Sequence, residues 1–68
     1  MNAKHDLAEA LCQLLETKTL EKITVKDIVA RCGVNRQTFY YHFHDVYDLM
    51  RWIFDREAAA LALSLIHI

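Results

Sequence analysis

The chain has no proline and a single glycine, Gly33, among its 68 residues. Hairpins and sandwiches depend on such turn residues, so their scarcity argues against an all-β fold and makes helices the expected element. No apolar stretch reaches the roughly 18 residues that span a bilayer, and the opening Met1 to Asp6 is polar rather than the start of a cleavable leader. Cysteine is scarce as well. Cys12 and Cys32 both fall inside apolar helical patterns, and two thiols without a leader predict a reduced, cytoplasmic protein rather than a disulfide scaffold. An excess of positive charge is also missing: Lys and Arg number 8 against 9 Asp and Glu, a net charge of -1, which excludes a protein that coats nucleic acid nonspecifically.

What the chain does have is helical periodicity. Its length is that of one domain, which buries only about 60% of the surface its unfolded form exposes. Ala3 to Glu16 carries Leu7, Leu11, Leu14 and Leu15 at intervals that place one apolar stripe on a helix. Thr17 to Lys22 is a polar connection in which Leu20 is expected to close the bottom of the core. Thr24 reads as an N-cap answered by Asp27, with Ile23 and Ile28 as the flanking hydrophobic staple, so a second helix starts at Val25. Gly33 ends it, because glycine takes the left-handed conformation that closes a helix. Asn35 caps a third helix from about Arg36 to His42, stapled by Val34 and Phe39. Asp45, answered by Asp48, opens a long fourth helix carrying Val46, Leu49, Met50, Ile53 and Phe54.

Charge is polarised along this frame. Lys18, Lys22, Lys26, Arg31 and Arg36 outweigh Glu21 and Asp27 in the middle of the chain, while the segments on either side are net acidic. A central basic stripe is what phosphate contacts require. From Ala58 onward the sequence becomes apolar nearly all round, ending Leu63-Ser64-Leu65-Ile66-His67-Ile68. A free terminal helix should not be so, and the expectation is a truncated chain or a non-native tail.

Helices two and three are joined by the short turn of a helix-turn-helix, whose second helix enters the major groove. Phe39 and Phe43, with Val34, make its inward stripe; Arg36, Gln37, Thr38, Tyr40, Tyr41 and His42 are left on the other faces, with the donors and methyl groups that read bases and phosphates. The run from Ile23 to Phe43, with Gly33-Val34, Thr38, Tyr40 and Phe43 at their intervals and Asp48-Leu49 behind them, resembles the signature of TetR-family transcription regulators. The likeness covers roughly Leu7 to Phe54. The Phe39-Tyr40-Tyr41-His42-Phe43 run and Tyr47-Asp48-Leu49 are most similar to the branch that regulates dihydroxyacetone kinase operons.

The resemblance implies an all-α, homeodomain-like three-helix DNA-binding domain over residues 1–54, with residues 55–68 continuing the fourth helix. It implies that Thr24 and Tyr40 hold phosphates, that His42 contacts the backbone, and that Lys26, Arg36, Gln37 and Tyr41 reach base edges or lie in the groove. Thr38 falls where the family touches either a phosphate or a thymine methyl. With Asn35 at the cap and His44 beyond the helix, the expected DNA-binding set is Thr24, Lys26, Asn35, Arg36, Gln37, Thr38, Tyr40, Tyr41, His42 and His44. The implied partner is a pseudo-palindromic DNA operator bound by a homodimer of a longer parent. Neither a membrane partner nor a cofactor is implied, and the effector-binding domain of the family is expected to lie outside these residues. No residue separates repression from activation. Two departures stand out. Val46 replaces a lysine that binds phosphate in the family, with His44 or Lys22 as weak substitutes, and Val29 replaces an alanine at a close helix contact.

Three other readings fit less well. His42, His44, Cys12 and Cys32 are metal-ligand types, but His-x-His points to two faces of a helix and no pair has ligand spacing. A chain this small has no obvious pocket for catalysis, so an enzyme is not expected. A helical interaction module could use Trp52 and Phe54, yet it would have no need of Arg36, Gln37, Thr38 and Tyr41 together.

Overall fold

The computed structural model describes residues 2–66, with side chains through residue 57. The apolar tail from Ala58 therefore lies outside the described side chains. Four helices make up the described chain: α1 (Ala3–Leu15), α2 (Val25–Cys32), α3 (Arg36–His42) and α4 (Val46–Ile66), with a 3-10 turn at Leu20–Lys22. There is no strand among the described residues, and the fold is the all-α helix-turn-helix that the sequence predicts.

Each helix starts where a polar side chain takes up free backbone N–H groups. Asn2 caps α1 by accepting from Lys4 N at 3.0 Å. Thr24 and Asp27 form a reciprocal capping box at α2: Thr24 Oγ1 accepts from Asp27 N at 3.2 Å, and Asp27 Oδ2 accepts from Thr24 N at 3.1 Å. Asn35 Oδ1 accepts from Thr38 N at 2.9 Å at the start of α3. At α4, Asp45 Oδ1 accepts from Asp48 N at 2.8 Å, whereas Asp48 Oδ2 reaches back to His44 N at 2.9 Å, one residue before the cap. Gly33 closes α2 with φ 75° and ψ 22°, the left-handed conformation, and its N–H and that of Val34 both return to Val29 O.

The core takes its fully buried side chains from every helix: Leu7 and Leu11 of α1, Ile28 of α2, Phe39 of α3 and Leu49 of α4. Helix α1 is the hub, packing against α2, α3 and α4, and α2 packs on α3. Ile23 and Ile28 are both buried, as the staple requires, and Leu20 lies half-buried beneath the core. Truncating any of the large core side chains to alanine costs about 2–5 kcal/mol, comparable with the roughly 3–5 kcal/mol that a domain of this size can muster.

Two side chains differ from expectation, Phe54 and Cys12, while Val46 is buried as the apolar stripe of α4 predicts. Phe54 is 58% exposed: Leu49 and Ile53 set the inward stripe of α4, and Phe54 lies about 100° round the helix from Ile53. Cys12 is exposed for the same reason, one position past Leu11; Cys32 is partly buried, and both thiols are free.

The first turn of α1 is tied to the middle of α4 by an aromatic and cationic cluster. The Phe43 and Trp52 ring centroids are 5.7 Å apart, and His5 meets Trp52 edge-on at 6.0 Å. Lys4 Nζ approaches the Trp52 ring at 5.4 Å, and the Arg56 guanidinium lies 4.7 Å from its centroid. Arg56 also donates to His5 Nδ1 at 3.1 Å, since a guanidinium has only protons to offer. Helix α4 crosses residue 54 without a break.

Candidate nucleic-acid interface

The candidate interface is built on α3. Burial of Phe39, with Phe43 at the C-cap, holds one face of this seven-residue helix against the core. The opposite face is outward. Asn35, Arg36, Gln37, Thr38, Tyr40 and Tyr41 line one open hollow along it, so six of the ten expected contact residues share a surface. Tyr41 is 85% exposed and Tyr40 54%, unusual for side chains that bury area so readily. With its side chains an α-helix is about 10–12 Å across, which matches a major groove about 12 Å wide.

The remaining four flank it. Thr24 and Lys26 are exposed at the start of α2. The Thr24 hydroxyl already accepts the Asp27 N–H, and its proton is the part left to donate. His42 is half-buried, its ring edge-on to Tyr41 with centroids 5.1 Å apart. His44 is exposed at the α3–α4 corner, with Nδ1 3.4 Å from Asp45 Oδ2. Beside it Tyr47, 59% exposed, shares a hollow with His44, Asp45, Asp48 and Arg51. Tyr47 was not among the expected contacts. Its signal in the sequence is its place one residue inside a helix capped by Asp45, where the inward positions belong to Val46 and Leu49.

The basic stripe is thinner than its residue list. Arg31 Nε donates to Gln13 Oε1 of α1 at 2.7 Å, which holds that guanidinium on the α1 side. Lys18 Nζ pairs with Asp27 at 3.5 Å. Lys22, Lys26 and Arg36 are exposed and make no ion pair among the described residues. Asp27 is held below its usual value chiefly by the Thr24 backbone N–H, with Lys18 adding to the effect. Val46 presents no group to a phosphate, being packed into the core where the resemblance places a phosphate-binding lysine.

Among the described residues, no three His, Cys, Asp or Glu side chains gather in a way that could hold a metal ion. No helix there is long and apolar enough to cross a membrane.

A short capped helix with a buried aromatic underside and a polar outer face, set against α2 by a glycine turn, defines a DNA-binding helix-turn-helix domain. Comparison with known proteins gives the family. Residues 7–51 match the pattern of the bacterial regulatory proteins of the tetR family, and the chain belongs to that family. It is 34% identical over 55 residues to the HTH-type dhaKLM operon transcriptional activator DhaS of Lactococcus lactis subsp. lactis (strain IL1403), an alignment covering 81% of this chain and 29% of that protein. The chain thus spans less than a third of the length of this curated relative. No solved structure matches it.

Proposed function

We propose that α3 reads one DNA half-site in the major groove, with α2 laid across the phosphate backbone. The observation that carries this reading is the outward face of α3, where Asn35, Arg36, Gln37, Thr38, Tyr40 and Tyr41 share one hollow above a buried Phe39. Arg36 and Gln37 have the geometry for bidentate hydrogen bonds, to guanine and adenine respectively. Thr24 and Tyr40 donate hydroxyl protons to phosphates on either side, with Lys26, His42 and His44 extending the contact surface. Two such heads, carried by a homodimer of a longer parent, would meet a pseudo-palindromic operator whose half-sites lie about one helical turn apart. The likeness to an operon regulator supports control of transcription as the parent's role and a cytoplasmic location, with no catalysis by this domain. The domain on its own is a weak half-site binder without effector response.

The test is a titration of the 68-residue chain against a randomised duplex pool at two salt concentrations, with sequencing of the bound fraction. An enriched motif half an operator long, with affinity falling as salt rises, is the expected result. A sample that is helical and melts cooperatively, yet enriches nothing at low salt, overturns the reading.

A further inference from the structure

Arg51 of α4 lines two neighbouring hollows of the surface. One lies at the α3–α4 corner, where it meets His44, Asp45, Tyr47 and Asp48. The other holds His42 together with Lys4, Trp52 and Asp55. Arg51 and Asp48 are the two side chains common to both, so His42 and His44 flank the same stretch of α4. The backbone between the histidines accounts for this. Phe43 is extended, with φ -136° and ψ 146°, and its ring is buried, so its chain neighbours turn to the side away from it.

Of the shared pair, Asp48 is already engaged: its Oδ2 accepts the His44 N–H at 2.9 Å. Asp45, the other carboxylate of the corner, accepts Asp48 N at 2.8 Å and lies 3.4 Å from His44 Nδ1. Arg51 is exposed and forms no ion pair among the described residues, although Asp48 and Asp55 stand three and four positions from it on the same helix. Those are the spacings at which helical ion pairs form. The guanidinium thus has donors to offer a ligand. A long helical side chain leans toward the N-terminus and covers the turn before its own, which carries the charge of Arg51 back over Tyr47 toward the corner. Val46, nearer the corner, is buried and offers no charge there. A planar fork of donors suits the oxygens of a phosphate, which arginine can hold with two parallel hydrogen bonds.

We propose that Arg51 holds a backbone phosphate at the α3–α4 corner, bordered on either side by His42 and His44. The proposal rests on the reading of α3 as the groove helix. It puts a cation of α4 on the DNA, outside the central basic stripe.

The experiment uses the half-site duplex that the unmutated chain selects. Its phosphates are replaced one at a time by uncharged methylphosphonates, and binding is measured at several salt concentrations. At one phosphate the unmutated chain should lose affinity, while Arg51→Gln is indifferent to the same replacement. The logarithmic salt slope of Arg51→Gln should be shallower by about 0.9, so that each doubling of salt costs it about twofold less affinity than the parent. Arg51→Lys, which keeps the charge, should restore the slope. Base preferences should not move in either variant. Melting temperature and helical content are followed alongside, because an arginine that only offsets Asp48 and Asp55 would change stability and leave the slope alone. An unchanged slope in a folded Arg51→Gln overturns the proposal, as does a set of methylphosphonate effects identical to the parent's. A changed preference at one base pair does so too, since it would make Arg51 a base contact. A folded chain that selects no DNA overturns the underlying reading of α3 instead, and that result precedes any substitution.

Discussion

The Arg56 guanidinium lies 4.7 Å from the centroid of the Trp52 ring, one turn back along α4, and the same indole receives His5 and Lys4 from α1. This cluster fastens the start of the chain to the helix that leaves the domain. Replacing Arg56 with alanine should cost about 0.5–1 kcal/mol, the range of a solvent-exposed cation–π contact. Trp52→Ala should cost about 3 kcal/mol, near the lower end for a large aromatic because the ring is only partly buried. Urea unfolding measures both, by the fluorescence of Trp52, the single tryptophan, for the Arg56 variant and by circular dichroism for the other. Unchanged midpoints in both would show that the cluster does not hold α1 to α4.

Gly33 is required for its conformation and not for space. A Cβ built there meets nothing within 4 Å, while φ is +75°. Gly33→Ala should therefore cost about 1–2 kcal/mol, the penalty for a side chain in the left-handed region, and Gly33→Asn less, since asparagine tolerates it. Thermal melting should show alanine below asparagine and asparagine below glycine. An alanine variant as stable as the parent would mean that the turn tolerates another geometry.

Two cap carboxylates make the fold acid-sensitive. Asp27 is held below its usual value of 3.8 chiefly by the Thr24 backbone N–H, and Asp45 chiefly by the Asp48 backbone N–H and then by the His44 ring. Because the folded values are the lower ones, the unfolded chain takes up protons first as pH falls. The stabilisation is whole above 3.8 and is lost as pH drops through the folded values. A chain carrying Asp27→Asn and Asp45→Asn should be less stable near neutrality and lose less on acidification. Melting temperatures followed from about pH 6 to about pH 2 check this; parallel curves for the two proteins would refute it.

Arg36 opens α3 on its exposed face. Its replacement by alanine should weaken binding by about 1–3 kcal/mol and relax preference at one base position if it reads guanine. Competition of the variant against single-base changes in the selected half-site distinguishes this from a loss spread evenly over all sequences, which would make Arg36 a phosphate contact.

Much of the fold can be read from short stretches of sequence, because its boundaries are local. Thr24 with Asp27, Asn35, Gly33 and Asp45 each act over three or four residues, and each sits where its chemistry places it. The inward aromatics of α3 follow from the same periodicity. Contacts between distant residues are not legible in that way. Gln13 and Arg31 meet across 18 positions, and no local pattern reveals that Arg31 is tethered to α1. The buried place of Val46, by contrast, follows from the apolar stripe of α4 that Leu49 and Ile53 continue. Val46→Lys should accordingly have two effects: a loss of about 1 kcal/mol in stability as the stem is forced along the core, and a salt slope steeper by about one if the ammonium reaches a phosphate. Melting and salt titration of one variant separate the two, and a stability equal to the parent's would contradict the burial of Val46.

With Arg31 turned to Gln13 and Lys18 turned to Asp27, three cations of the central stripe, Lys22, Lys26 and Arg36, face outward without partners among the described residues. Each phosphate neutralised contributes about 0.9 to the logarithmic salt dependence. If each of the three meets a phosphate, a doubling of salt should loosen the grip about sixfold, where five such contacts would loosen it about twentyfold. Such a head trades strength of hold for steadiness, losing less of its occupancy than a five-contact head would when a cell loses water and its ions concentrate.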